Sequence, residues 1–434
     1  MEREALEMRI WDREKLRDGA KASGEYVLAF LKWVLASLLV GGIGGLLGTL
    51  FHSGIGWATA FRQEHGYIIW FLPAAGLVTL LLYRLCKVSF GAGTNLIIQS
   101  VTTNEHIPIL LAPLIAAGTL LSHLFGASVG REGAALQLGG SVGHNFGELL
   151  RFDEDDVRVL SMCGMAACFS AMFGTPLAAA VFVLEVICVG RIHYGAFLPC
   201  VLASYMASAV NSWIGGGTLQ YDLKGGIPQA SLETVLQVGI LAALCAGVAI
   251  LLCMVIHGAG HWAEKLLKNP YLRIACGGGL MAVLVNIFGL WDYAGAGAHM
   301  IDRAVNGEAD SWAFLVKLAL TALCVGAGFR GGEIVPTLFI GATFGCAIGP
   351  LLGLSPGFAA GVGMVAVFCG VVNCPIATLF LAAEMFSTSN LGLFAVAIAV
   401  SFVLSGYFGL YSSQVIIFSK IKRRVRQNPE KEQE

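Results

Sequence analysis

The chain has 434 residues, of which 56% are hydrophobic and only 13% charged, and its mean hydropathy is +0.75. Soluble globular proteins carry about 25% charged residues, so the composition excludes an ordinary soluble domain and places the chain in lipid. A formal net charge of −1 gives no basic surface for nucleic acid, and the absence of a lysine-bearing phosphate loop gives no support to an ATP-driven pump.

In chain order, residues 1–25 alternate acids and bases and are predicted to form a cytosolic amphipathic helix, not a cleavable signal peptide. Apolar runs at residues 26–50, 235–256, 314–329 with their flanks, and 391–410 are candidates to cross a bilayer, which takes about 20 helical residues. Many of the 56 glycines lie inside such runs. They let helices approach closely and permit breaks where backbone lines a cavity, so short, tilted or broken helices are expected. Asp153-Glu154-Asp155-Asp156 reads as a solvated loop that opens the following helix. A polar, glycine-rich stretch divides the chain near its middle. The predicted organisation is a first membrane repeat at 26–210, a linker at 211–233, a second repeat at 234–419 and a basic cytosolic tail at 420–434. Bases near both ends place both termini in the cytoplasm by the positive-inside rule, which predicts an even number of crossings. No soluble regulatory domain is expected after the tail.

The twelve cysteines are scattered. The step from Cys163 to Cys168, repeated from Cys369 to Cys374, does not match a zinc pattern, and all twelve read as buried small hydrophobes. His257 and His261 share a helix face but lack the accompanying glutamate of a zincin. They read as interfacial residues, and neither a metal nor a cofactor is expected.

The informative signal is a carboxylate inside apolar sequence, at Gly130-Arg131-Glu132-Gly133 and again at Gly331-Gly332-Glu333-Ile334-Val335-Pro336. A charge at the bilayer centre costs roughly 2.5–3.5 kcal/mol on insertion scales and usually marks an ion or proton pathway. Each motif is followed by the same echo: Pro176 to Glu185 and Pro375 to Glu384 are equally spaced. Duplicated halves with interrupted helices put a transporter's binding site at their interface. Glycine before an apolar run reads as a helix N-terminus, whose free N–H groups and positive dipole end favour an anion. Ionised, the Glu132 carboxylate can occupy that anion site; protonated, it can leave, so one side chain can gate an anion and carry a proton. Glu333 admits the same role or a static pairing with Arg330. Glu185 and Glu384 read as structural, satisfying backbone N–H groups or a neighbouring helix, and Arg131 as a partner for a carbonyl or carboxylate.

Together these segments resemble the CLC family of anion channels and proton-coupled anion antiporters. Gly130 to Gly133 is similar to that family's gating-glutamate motif, and Gly331 to Pro336 to its second anion-binding loop. Gly91-Ala92-Gly93-Thr94-Asn95 falls at the first anion-binding loop, and Gly409-Leu410-Tyr411-Ser412 at the central tyrosine. The resemblance implies an all-α polytopic membrane protein with two inverted-topology repeats, broken helices around a midplane anion site, and one pore per subunit of a homodimer. Thr94-Asn95-Leu96-Ile97 with Glu132 and Glu333 is similar to the bacterial fluoride-exporting branch, which implies a proton-coupled fluoride antiporter in a bacterial inner membrane. That branch tends to carry a larger or more polar residue than Ala92 and a threonine where Val335 stands. Proton-coupled chloride members hold an acid at the position of Val186. The implied anion site comprises Ala92, Gly93, Thr94, Asn95, Gly130, Arg131, Glu333, Ile334, Val335 and Tyr411, with Glu132 as gate and Glu333 in the proton role that Val186 leaves empty. The alternatives are a chloride/proton antiporter or chloride channel, a membrane-embedded enzyme with Glu132 as acid or base, and a non-transporting scaffold.

Overall fold

The computed structural model describes residues 24–91, 93–103, 105–386, 389–417 and 420, together with the helical backbone of residues 2–23. Most of it is helix. The first half runs through α1 (Glu2–Glu64), α2 (Leu72–Leu85), α3 (Thr94–Thr103), α4 (Leu111–Leu124), α5 (Glu132–Leu149), α6 (Glu154–Phe173), α7 (Pro176–Val186) and α8 (Phe197–Ile214). The second runs through α9 (Leu232–Leu266), α10 (Pro270–Phe288), α11 (Ala298–Val305), α12 (Ala313–Ala327), α13 (Ile334–Ile348), α14 (Pro356–Val372), α15 (Pro375–Phe386) and α16 (Leu391–Leu404). The halves repeat one another in packing: α5 lies on α6 as α13 lies on α14, and α1 packs on α6 and α8 as α9 packs on α14 and α16. A short parallel pair, β1 (Cys188–Val189) with β2 (Val415–Ile416), ties the end of one half to the end of the other.

Local chemistry explains the boundaries. Asp153 accepts the Asp156 N–H at 2.9 Å and caps α6, as the acidic run predicts. Pro176 and Pro375 sit at the first positions of α7 and α15, where a missing N–H costs nothing. Close helix contact needs glycine. A Cβ on Gly139 of α5 would lie 2.0 Å from the Gly164 carbonyl oxygen of α6, and one on Gly341 of α13 would lie 2.4 Å from that of Gly363 in α14. Any side chain at these crossings would push the central helices apart.

Among the described residues, seven helical segments are long and apolar enough to cross a bilayer, Gly24–Glu64 and Leu232–Leu266 the longest. Two of the runs expected to span fall short: 314–329 becomes the 15 residues of α12, and 391–410 the 14 of α16. The first stops at Gly328 (φ 104°), and the second gives way to a turn at Gly406 (φ 60°). α6 and α14 are buried all round, whereas α1, α2, α9 and α10 expose large apolar side chains such as Leu35, Leu81, Leu236 and Ile287. That contrast fits a core pair wrapped by a lipid-facing shell. The twelve cysteines are free thiols, mostly buried.

The predicted linker region is bonded to the helices on either side. α8 continues to Ile214. Beyond it, Leu219 donates to Phe173 O and Tyr221 to Met385 O, both at 2.9 Å, so the segment is laced into both halves. Lys420 likewise leaves the tail: its Nζ donates to Asn373 Oδ1 (2.5 Å) and Phe402 O (2.8 Å). Carbonyls near the end of α16 need a cation-bearing donor, and Lys420 supplies it. Ala92, the side chains of residues 1–23 and the rest of the basic tail lie outside the described residues.

Candidate functional site

Two loops meet at the centre of the fold. Each follows a glycine in the left-handed region, Gly126 (φ 91°) after α4 and Gly328 (φ 104°) after α12, a conformation that L side chains resist. The loops then pair. Gly130 N–H donates to Gly332 O at 2.5 Å and Gly332 N–H to Gly130 O at 2.7 Å, a reciprocal antiparallel bridge between the halves. A Cβ on Gly130 would lie 2.9 Å from Gly332 O and from Pro336 Cδ, so no other residue fits without displacing the bridge.

The bridge brings the starts of α5 and α13 together. Among the described residues, the N–H groups of Gly133, Ala134, Ile334 and Val335 find no backbone carbonyl, as first-turn donors do not. Such groups with the positive ends of two helices form an anion-favouring cradle. Gly130, expected among the anion-binding residues, donates its N–H to Gly332 O, and lacking a side chain it lets the two loops meet. Arg131 N–H is also engaged, donating at 3.0 Å to Glu132 Oε2, while Arg131 Nε lies 3.3 Å from Glu132 Oε1. The Glu132 carboxylate, 1% exposed, thus folds back over its own helix start.

Two cavities that share no lining residue reach this centre. One, of about 240 Å³, is lined by Glu132, Arg131, Val335, Tyr221 and Arg62. The other, of about 180 Å³, is lined by Glu333, Gly93, Thr94, Asn95, Gln137 and Tyr411. In the second, Gln137 Nε2 donates to Thr94 Oγ1 at 3.0 Å, and Ser413 N–H donates to Asn95 Oδ1 at 3.2 Å, tying the start of α3 to the Tyr411 segment. The Tyr411 hydroxyl is buried and meets no partner among the described residues. Glu333 caps α13 by its main chain, with Thr337 Oγ1 donating to its carbonyl at 2.8 Å. The static pairing with Arg330 is not made: no ion pair joins the two, and Arg330 stacks over Tyr83 and Phe90 and donates to Phe90 O.

The second glutamate pair behaves differently. Glu185 accepts the N–H groups of Ile376 (3.2 Å) and Ala377 (2.8 Å) at the start of α15. Glu384 accepts those of Leu177 (3.0 Å) and Ala178 (2.8 Å) at the start of α7. Each half caps a helix of the other, the structural role read from the spacing. Val186 is buried and offers no side-chain proton site; its carbonyl accepts from Gln414 Nε2 at 2.9 Å.

Several residues of the site escaped the sequence reading. Gln137 and Tyr221 are single polar groups in unremarkable surroundings. Lys317 is fully buried and donates to the carbonyls of Tyr293 (3.0 Å) and Gly295 (2.6 Å), while Arg62 donates to His123 O (2.7 Å) and Ala294 O (3.4 Å). Together they hold a segment that walls the first cavity. A lone lysine within the apolar run 314–329 was the available signal.

Comparison with known proteins agrees with this architecture. The family model described as voltage gated chloride channel matches residues 77–406. A chloride/fluoride channel protein of Pseudomonas syringae pv. tomato is 37% identical over 401 residues, covering 90% of this chain and 88% of its own. The H(+)/Cl(-) exchange transporter ClcA of Vibrio cholerae is 27% identical, covering 92% of this chain and 90% of its own. Among solved structures, a CLC-type fluoride/proton antiporter superposes with a TM-score of 0.86 at 30% identity, covering 89% of this chain and 98% of its own. A slow cyanobacterial Cl-/H+ antiporter shares the fold at a TM-score of 0.75 and 20% identity. With its duplicated halves, stapled loops and paired carboxylates, the chain belongs to the CLC family of voltage gated chloride channels and their transporter relatives.

Proposed function

We propose that the chain is a proton-coupled fluoride antiporter that exports fluoride as protons run inward. The observation that carries the reading is the placement of Glu132 and Glu333. Each stands at the start of one of two stapled helices, and each lines a different cavity. In this reading Glu132 is gate and proton carrier: protonation frees it from the Arg131 N–H and vacates the helix start for the anion. Glu333 relays the proton to the other cavity. The free N–H groups at the starts of α5 and α13, including those of Ile334 and Val335, receive the anion. The Tyr411 hydroxyl adds a donor, and Gly93, Thr94 and Asn95 shape the approach. Fluoride is small and accepts strong hydrogen bonds, so a site built largely of backbone N–H donors can hold it and still release it.

The relatives named for chloride/fluoride and for fluoride/proton transport support this anion. Exchangers named for chloride at 27% identity, together with Val335 where the fluoride-exporting branch tends to carry threonine, favour a second reading, chloride/proton exchange or a chloride channel. We further propose that the two repeats, 26–210 and 234–419, act as one pathway per chain in a homodimer embedded in the lipid of a bacterial inner membrane. Both termini face the cytoplasm, as the bases near the ends suggest. No enzymatic step is assigned. The test is purified protein in liposomes loaded with fluoride or chloride, with anion efflux and proton uptake recorded together. Fluoride efflux coupled to proton uptake is expected; equal or faster chloride efflux would replace the first reading by the second.

A further inference from the structure

We propose that His106, His144 and Glu148 form a binding site for a divalent transition-metal ion, with Zn²⁺ the best fit, that staples the segment between α3 and α4 to the far end of α5. His144 and Glu148 are one turn apart on α5, and His106 lies just beyond the end of α3. Their ligand atoms all lie within 4.8 Å of one another. Glu148 Oε1 is 3.0 Å from His106 Nδ1 and 3.2 Å from His144 Nε2. Ligands bound at about 2.1 Å in a tetrahedron stand about 3.4 Å apart, so both carboxylate–imidazole separations are close to that of a coordinated pair. His106 is 67% exposed on its side chain, so it is free to rotate and close the remaining imidazole–imidazole gap.

Two further observations point to a ligand. The Ile107 N–H faces His144 Nε2 at 3.4 Å. A nitrogen that accepts there carries a lone pair, which then also confronts the Glu148 carboxylate. Two acceptors in contact call for a cation between them, a proton or a metal. The surroundings are also braced: Asn145 Nδ2 donates to Ile107 O at 3.1 Å and to Ser141 O at 2.7 Å, fixing the loop that bears His106 against α5. Partners that orient ligands from behind are a regular part of metal sites. The cluster occupies the last turns of α5, where the negative end of the helix dipole favours a cation. Three protein ligands leave a fourth position for water, and the exposed side gives the ion an entry path.

The position gives the site a consequence for transport. α3 and α5 pack together. α3 brings Thr94 and Asn95 to one cavity, and α5 brings Glu132 to the other. His144 is twelve residues from Glu132, about 18 Å along the helix, so a metal there does not touch the pathway. It restrains the two helices whose starts build it, and bound Zn²⁺ is expected to slow transport without competing with the anion.

The test uses the full-length protein in detergent, stripped with a chelator and titrated with ZnCl₂ by calorimetry. Co²⁺ serves as a spectroscopic probe of coordination. One Zn²⁺ per chain is expected, with affinity at least tenfold weaker in His106→Ala and Glu148→Gln and unchanged in His257→Ala/His261→Ala. Because His144 is buried and its loss could disturb folding, the decisive variant is the exposed His106. Zn²⁺ should raise the Tm of the unaltered chain and not that of His106→Ala. No saturable binding, or binding and Tm shift undiminished in His106→Ala, as a thiol site or a purely hydrogen-bonded His–Glu–His cluster would give, overturns the proposal.

Discussion

Four glutamates lie in the duplicated interior, and they divide into two pairs of opposite character. Glu185 and Glu384 each accept two backbone N–H groups from the facing helix of the other half. Glu132 and Glu333 each stand at a helix start beside a cavity; among the described residues Glu132 is held by its neighbour Arg131, and no ion pair holds Glu333. The residue type is the same, and burial does not separate the pairs: Glu132 and Glu185 are buried, Glu333 and Glu384 half-buried. What differs is where the donors come from, the main chain of the other half for Glu185 and Glu384 and the adjacent Arg131 for Glu132. A carboxylate capped by two fixed donors has no reason to change protonation or position, because either change strands the donors. A carboxylate beside an open volume can exchange a proton and swing. The two pairs are therefore told apart by their hydrogen-bond partners and not by burial.

The comparison can be broken at each pair. The largest effect is expected from Glu132→Gln, which keeps shape and removes the proton. Proton uptake into fluoride-loaded liposomes should fall roughly 10²-fold or more, the scale of a lost positioned proton donor, with little change in Tm. Wild-type coupling in this variant would remove Glu132 from the moving pair. Glu333→Ala should follow, with proton flux down about tenfold and stability within about 0.5 kcal/mol, as for a side chain lacking a fixed partner. A stable variant with unaltered coupled flux would exclude the relay.

The framework pair should give the reverse pattern. Glu185→Ala and Glu384→Ala each leave two helix N–H groups unmet, at about 1–3 kcal/mol per donor. Thermal unfolding in detergent should show the loss, while the protein that remains folded transports at its normal rate. Lost coupling with an unchanged Tm would put these residues in the proton path. The smallest effect is expected from Tyr411→Phe. Among the described residues its hydroxyl has no partner to strand, so Tm should hold while fluoride turnover slows about fivefold, the equivalent of about 1 kcal/mol. An unaltered turnover would show that the hydroxyl does not meet the anion.

Much of this was legible because it is one-dimensional. Pro176 to Glu185 and Pro375 to Glu384 span the same distance along the chain, which exposed the repeat and the helix starts. That each glutamate caps the other half's helix was not legible, since it depends on how α7 and α15 pack. The same holds at Gly130: the glycine announced a close approach, but only the pairing with Gly332 shows its N–H already taken. The contacts of the linker and of Lys420 were not legible, because composition does not say which polar groups will find carbonyls to serve. His106, 38 residues from His144, showed no local pattern, whereas His257 and His261 showed a pattern and, among the described residues, no third ligand.

The bridge between Gly130 and Gly332 bears on ancestry. A half-length chain carrying one such loop would present an unpaired N–H and carbonyl, and one glutamate with no helix to cap. All are met only when a second, inverted half arrives. An unfused ancestor would thus have been an obligate antiparallel pair, at the mercy of its own concentration in the membrane. Fusion makes that encounter intramolecular and independent of expression level. It also releases the copies from being identical, so that one loop could keep Arg131-Glu132 and the other Gly332-Glu333.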